Sequence, residues 1–269
     1  MREFTIQDRI TLHAKLAAGA MHVAAEPRET AAVEVLPYDG SAASREAAER
    51  AIVELRGSTL HVESPEGGWR LWRSGKLRID VRLPEDSRLM IRLASADAQL
   101  DGRFGDATID TASGDVTVDH VAGTLHVKGA SADIRVARVD GAATVDTASG
   151  DVALGQAAAE VVVDTSSGDI TIDRNETSVQ VQTASGDVRL GAVARGNVQV
   201  STASGDVRVG IPAGTSVWLD LSTASGSTRS DLDHGEALAP ATGAPDLNLR
   251  VRTASGDIEL RRVPVRTPA

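Results

Sequence analysis

Cysteine is absent from this chain of 269 residues, and so is any long hydrophobic run. Without cysteine the chain has neither a disulfide framework nor a thiolate metal site, which is typical of a reducing compartment. Without about 18 consecutive apolar residues, the sequence predicts no membrane span. The first 16 residues carry five charged side chains and lack the apolar run of a secretory signal. We therefore expect a cytoplasmic protein.

Aromatic residues are also scarce, and the 38 acidic residues outnumber the 28 basic ones. Aromatic residues make up 2% of the chain. Sites that bind or cleave polysaccharides generally use aromatic platforms, so this scarcity argues against such a site. The net charge of −10 argues against nucleic-acid binding, because phosphate contacts need a concentrated basic surface. Sequence motifs of serine hydrolases, zinc peptidases, nucleotide-binding loops and dinucleotide-binding folds are missing. We therefore assign no enzyme activity, no catalytic residue and no cofactor.

The most informative feature that is present is a repeated Thr-Ala-Ser-Gly-Asp-(Val/Ile) unit. Strict Ser-Gly-Asp copies end at Asp115, Asp151, Asp169, Asp187, Asp206 and Asp257, and weaker Ser-Ala-Asp copies end at Asp97 and Asp133. From residue 97 to residue 187 every step between copies is 18 residues, for example 115 − 97 and 133 − 115. A fixed period of this length predicts a stacked repeat array.

Within each unit, apolar residues alternate with polar ones. Val152 and Leu154 follow one copy, and Val161 and Val163 precede the next. Alternation by two is typical of a strand with one buried face, and a single slip in the middle of the unit indicates a bend. The sequence therefore predicts an all-β fold, a single-stranded parallel β-helix with about 18 residues per coil. Two or three strands per coil are both compatible with the pattern.

The Ser-Gly-Asp units are interpreted as corners of the coils. Glycine tolerates positive φ, and Ser and Asp can bond backbone N–H groups around their own turn. The corner residues are Gly114, Asp115, Gly150, Asp151, Gly168, Asp169, Gly186, Asp187, Gly205, Asp206, Gly256 and Asp257. Threonines with the parity of the inward valines predict an internal ladder, at Thr111, Thr147, Thr165, Thr183, Thr202, Thr223 and Thr253.

The chain divides into three regions of one structural domain. Residues 1–87 are expected to form an N-terminal cap with the first irregular coils, beginning near residue 10 and including one short helix at 44–51. Residues 88–262 form the regular β-helix, with an inserted loop at about 230–246 before the last coil. Residues 263–269 are predicted to be a disordered tail. The charged and proline residues after the final strand are expected to discourage pairing at the C-terminal end, namely Arg261, Arg262, Pro264, Arg266 and Pro268.

Several segments resemble a known family. They are the Thr-Ala-Ser-Gly-Asp units, residues 48–62 (AERAIVELRGSTLHV), residues 78–84 (RIDVRLP) and the terminal VRTASGDI. Together they resemble the bacterial putative-adhesin, or toastrack, β-strand-repeat family, over about residues 4–262. This resemblance implies a non-catalytic interaction module linked to cell-envelope processes. It is specific for the fold and says little about function, since the shared motif is the corner itself.

Two sets of residues are candidates for binding. Trp69, Arg70, Trp72 and Arg73 interleave the residue types of protein-binding hot spots, although they could equally cover the end of the stack. The column of corner aspartates could attract cations, but turn bonding is the simpler role of each carboxylate. The six histidines show no helical ligand pair, and we assign no metal site.

Three functions remain as hypotheses. The first is a scaffold that binds an unknown protein partner, as a monomer or small closed oligomer. The second is a self-assembling polymer like the bactofilins, which the irregular N-terminal region would oppose. The third is a protein that binds or cleaves envelope polysaccharides.

Overall fold

A computed structural model describes residues 1–6, 9–65, 75–232 and 245–264. In chain order the elements are β1 (Arg2–Thr5), β2 (Thr11–Glu26), β3 (Thr30–Pro37), α1 (Ala42–Arg50), β4 (Ile52–Arg56), β5 (Thr59–Glu63), β6 (Leu77–Pro84), β7 (Arg88–Phe104), β8 (Ala107–Ser113), β9 (Val116–Val121), β10 (Leu125–Ser131), β11 (Ile134–Val139), β12 (Ala143–Ser149), β13 (Val152–Ala157), β14 (Val161–Ser167), β15 (Ile170–Asn175), β16 (Val179–Ser185), β17 (Val188–Val193), β18 (Gly196–Ser204), β19 (Val207–Pro212), β20 (Val217–Ser225), β21 (Thr228–Ser230), β22 (Leu247–Ser255) and β23 (Ile258–Val263).

The predicted parallel β-helix is confirmed, with two strands in each regular coil. Face A is the column of strands that precede the corners, and face B is the column that follows them. On face A, β10 pairs in parallel with β8 and β12, and on face B, β11 pairs with β9 and β13. The long strands β2 and β7 bend through a corner and belong to both faces. The one described helix is too short to cross a membrane.

The core runs along the axis of the stack, between the two faces. Val145, Val163 and Val181 are register partners in successive coils, and all three are fully buried. Each such side chain contributes about 1.5–3 kcal/mol through its burial. Because the coils are in register, equivalent positions form continuous apolar columns. Phe104 is among the largest fully buried side chains of the core.

The first coil of the chain is not the end of the stack. Strand β2 pairs in parallel with β7 on one side and with β5 and β6 on the other. The prediction that a coil begins near residue 10 agrees with β2. Residues 1–87 are thus less irregular than expected, since they contain one complete coil and the two strands stacked outside it.

Antiparallel strands close the N-terminal end. Strand β4 pairs antiparallel with β5, β3 pairs antiparallel with β6, and β1 pairs antiparallel with β3. The predicted short helix is α1, which begins two residues before the expected residue 44. Its N-cap is Ser41, whose side chain accepts a hydrogen bond from the Ser44 N–H.

At the C-terminal end the coil order differs from the prediction. Strand β22 lies between β18 and β20, and β23 lies between β19 and β21. The coil at 247–260 is therefore inserted, and the outermost described coil is the one formed by residues 217–230. Arg261 and Arg262 consequently do not protect the end of the stack. Residues 233–244 of the predicted loop and 265–269 of the predicted tail lie outside the described residues.

The corner glycines combine positive φ with close backbone contact. In Gly114, Gly150, Gly168, Gly186, Gly205 and Gly256, φ lies between 120° and 145°. A Cβ atom at these positions would lie 2.0–2.2 Å from the corner carbonyl oxygen of the adjacent coil. Each glycine N–H from Gly150 onward donates to the carbonyl of the serine in the next coil of the stack. Only glycine satisfies both requirements.

The corner aspartates form a hydrogen-bonded ladder between coils. The Oδ1 atom of each aspartate accepts from the corner N–H of the next coil, over 2.7–3.2 Å, along the series Asp97, Asp115, Asp133, Asp151, Asp169, Asp187, Asp206, Asp257 and Ser227. The expectation that each carboxylate bonds within its own turn was wrong. The in-register stacking places the next coil's N–H within reach of the carboxylate.

Inward threonines complete the corners. Thr147, Thr165, Thr183 and Thr202 are buried, and each hydroxyl donates to the carbonyl two residues later, over 3.1–3.2 Å. Thr223 is only partly buried because its coil is the outermost one. The predicted ladder thus supplies polar partners beside an otherwise apolar core.

Replacing a corner glycine should destabilise the stack. We expect Gly150→Val to lower the free energy of unfolding by about 2 kcal/mol or more, since it combines φ strain with a backbone clash. Gly214→Val, at a positive φ with open space around it, should show the φ strain alone, and Gly40→Val neither effect. Urea unfolding measures all three variants. Equal stability of the Gly150 and Gly40 variants would contradict this account.

The Asp ladder should make stability depend on pH. The backbone bond from Asp151 and the neighbouring Arg135 lower the pKa of Asp133. A lowered folded-state pKa stabilises the protein above the unfolded value, and this stabilisation disappears as pH falls through the folded value. We expect Asp133→Asn to melt below the parent at pH 7, with a difference that shrinks as the pH falls below 3.8, the ordinary pKa of this carboxyl group. The exposed Asp173→Asn serves as control, and a constant difference for Asp133→Asn would refute the link.

Candidate functional site

The middle of face A forms a shallow polar groove. Lys128, Asp146, Asp164 and Gln182 occupy equivalent outward positions in four successive coils, and the groove has a volume of about 610 Å³. Burial and the adjacent charge of Asp146 raise the pKa of Asp164. The groove can accept a cation or a hydrogen-bond donor, but its carboxylates follow from repetition of the coil.

A more distinctive surface lies where the inserted coil meets the outermost coil. We define the end patch as Trp218, Asp220, Asn248, Arg250 and Arg252. Strands β20 and β22 pair these positions in register on the outward side of face A. The Arg250 guanidinium lies 6.0 Å from the centre of the Trp218 ring and donates from Nε to Asp220 over 2.8 Å.

The end patch is accessible and anchored. Trp218 is 48% exposed, and the Arg252 side chain is 62% exposed. Arg252 lies 3.8 Å from the Asp220 carboxylate, which is too long for a hydrogen bond. Sequence analysis missed this surface, because 30 residues separate the paired positions and the coil insertion brings them together.

The partner patch that the sequence indicated cannot be placed. Trp69, Arg70, Trp72 and Arg73 lie outside the described residues, as does His234. That hypothesis stays a prediction. The corner residues are placed, and most of their contacts are the intercoil bonds of the backbone stack. Asp187 and Asp206 also form ion pairs with Arg208.

The described histidines differ in their surroundings. His22 lies 2.8 Å from Asp101, and His120 lies 2.8 Å from Asp140, so both are partnered by carboxylates. His13 and His61 instead face each other across β2 and β5, with ring centres 5.2 Å apart. The sequence signal for this pair was weak, because the two residues lie on strands separated in the chain by β3, α1 and β4.

Three solved structures are similar to this chain over nearly its whole length. A putative adhesin from Parabacteroides merdae matches with a TM-score of 0.50 and 10% identity, covering 97% of this chain and 95% of its own. A putative adhesin from Bacteroides fragilis matches with a TM-score of 0.46, 10% identity and the same coverage. A putative lipid binding protein from Parabacteroides distasonis matches with a TM-score of 0.42 and 12% identity, covering 97% and 96%. At such identities a structural match concerns the fold alone.

No curated protein matches the sequence significantly. The sequence profile of the Toastrack DUF4097 family, in contrast, matches residues 16–261. This range extends from within β2 to within β23 and includes all the regular coils. By this match, which covers most of its length, the chain belongs to the Toastrack DUF4097 family.

Proposed function

We propose that this protein is a non-catalytic β-solenoid scaffold that binds a protein partner through the end patch. The observation that carries the proposal is the exposed Trp218 ring beside Arg250 on two hydrogen-bonded strands. Tryptophan and arginine are the residue types most enriched at binding hot spots. This role is consistent with the family. The proposal also includes a connection to the cell envelope and a cytoplasmic location, and both rest on the sequence alone.

The rigidity of the support favours binding at this patch. Strand β22 is held between β18 and β20, so the arginines project from a backbone that is paired on both sides. Less conformational entropy is lost on binding when the contact side chains start from a fixed backbone. Trp218 also keeps much of its apolar surface in water, and covering it with a partner is favourable.

The charges of the patch indicate the kind of partner. Arg250 is paired with Asp220, whereas Arg252 extends further into solvent. The patch thus carries one net positive charge on a chain whose net charge is −10. A partner segment that combines an apolar side chain with a carboxylate fits this arrangement, since the carboxylate can bond the guanidinium of Arg252 with both oxygens.

The polymer hypothesis is less favoured by the ends of the stack. Head-to-tail growth requires each end to offer strands of compatible direction. At the N-terminal end, the outermost described strands β4 and β1 run antiparallel to their neighbours. The polysaccharide hypothesis has no comparable supporting observation in the described residues.

Substitutions in the end patch should weaken partner binding without unfolding the protein. Partners can be captured from native lysate, identified, and titrated against the purified chain. We expect Trp218→Ala to weaken binding by about 2 kcal/mol, roughly 30-fold in Kd, and Arg252→Ala to weaken it less. Arg189→Ala, an exposed position on face B, is the matched control. A partner whose affinity all three variants retain would show that binding occurs elsewhere.

The intact chain should be a monomer or small closed oligomer. Removing residues 1–87 exposes the edge of β7 that β2 covers, so we expect this variant to aggregate or form filaments. Removing only residues 1–9 leaves β2 in place and should preserve the oligomeric state of the parent. Light scattering after size exclusion measures all three proteins, and electron microscopy distinguishes filaments from aggregates. Filaments formed by the intact chain would favour the polymer hypothesis instead.

A further inference from the structure

Two histidines and a glutamate meet on the outward side of face A, near its N-terminal end. His13 on β2 is the direct register partner of His61 on β5, and Glu63 follows two residues later on the same side of β5. One ligand atom from each residue lies within 4.8 Å of the other two. The three side chains are only 20%, 22% and 23% exposed, so the cluster is largely shielded from water.

One buried polar atom of this cluster lacks a hydrogen bond. Within the part of the chain that the structure describes, the buried Nδ1 atom of His13 has no hydrogen-bond partner. Its distance to Oε1 of Glu63 is 3.5 Å, and the same oxygen lies 3.9 Å from Nδ1 of His61. An unsatisfied buried polar atom is costly, and a ligand that bonds it would recover that cost.

The spacing of these atoms is close to that of a metal site. Zinc binds histidine nitrogen and carboxylate oxygen at about 2.0–2.2 Å, which places ligand atoms of a tetrahedral site roughly 3.3 Å apart. The 3.5 Å and 3.9 Å distances are close to this value, and the two imidazole ligand atoms lie within 4.8 Å of each other. Two imidazoles and one carboxylate suit zinc and similar transition metals better than calcium or magnesium, which prefer oxygen ligands.

We propose that His13, His61 and Glu63 bind one divalent transition-metal ion, such as Zn²⁺, with a fourth position open to water. Two of the ligands lie on β5 and one on β2, so the ion clamps the strand outside the first coil onto that coil. The site is structural in this role: it fastens the N-terminal end of the stack.

The surrounding charges both assist and oppose the ion. Burial, and secondarily the neighbouring His61, lower the pKa of His13, which favours the neutral imidazole that a metal requires. Lys15 opposes binding, because its ammonium lies 3.6 Å from Oε1 of Glu63. Arg92, opposite Lys15 on β7, adds positive charge, and Glu54, opposite His61 on β4, adds negative charge. Lys15 is long and partly exposed, and it can swing into solvent when a cation enters.

Metal titration of the untagged full chain tests the proposal. We expect Zn²⁺ to bind with one-to-one stoichiometry by calorimetry and to raise the melting temperature, since it binds the folded state. Co²⁺ should give the visible absorption of a four-coordinate nitrogen and oxygen site. His13→Gln and Glu63→Gln should each weaken binding by more than the roughly 10–100-fold that outer-shell changes cause. His126→Gln, an outward histidine further along face A, should leave it unchanged.

Lys15→Met provides a test in the opposite direction. Removing this ammonium should tighten Zn²⁺ binding by roughly two- to fivefold, the scale of one surface charge pair. Circular dichroism establishes that each variant is folded. The proposal is overturned if the folded parent binds no Zn²⁺ or Co²⁺, if His13→Gln and Glu63→Gln retain parental affinity, or if the His126 variant loses binding as they do.

Discussion

Contact between the corner glycine of one coil and the carbonyl oxygen of the adjacent coil is the constraint on which this fold depends. A Cβ atom on this glycine would lie only 2.0–2.2 Å from that oxygen. Because glycine has no Cβ atom, the corners can stack directly on one another. The Asp ladder then fixes the register of the corner N–H groups. Once the corners are aligned, the inward valines and threonines must form continuous columns, because each strand starts at the same point of its coil.

This constraint specifies how coils stack but leaves their order open. Any Ser-Gly-Asp coil offers the same glycine, carbonyl and carboxylate to its neighbours, so the motif does not identify adjacent coils. Asp257 thus donates its N–H to Asp206, 51 residues away, while its carboxylate accepts from Ser227. The fold class and the inward columns could be predicted from periodicity. The insertion of the last coil could not, since it obeys the same local rules as sequential stacking.

The same reasoning explains which surfaces the sequence could predict. Corner residues repeat, and their type and spacing identified them. The end patch and the histidine cluster do not repeat, and each depends on pairing between distant segments. Trp218 meets Arg250 only because β22 returns beside β20, and His13 meets His61 only because β5 stacks outside β2. A His-x-Glu spacing on β5 was the sole local signal, since alternate residues of a strand share one side.

Both unusual surfaces lie on face A, at opposite ends of the stack. Nine strand pairings lead from β2 to β20, through β7, β8, β10, β12, β14, β16, β18 and β22. At about 4.8 Å for each pairing, roughly 43 Å separates the cluster from the end patch. The coils between them keep the same corners, so each adds the same length to the stack. Their outward residues vary from coil to coil. The number of repeats therefore sets the distance between the proposed metal site and the surface proposed to bind a partner.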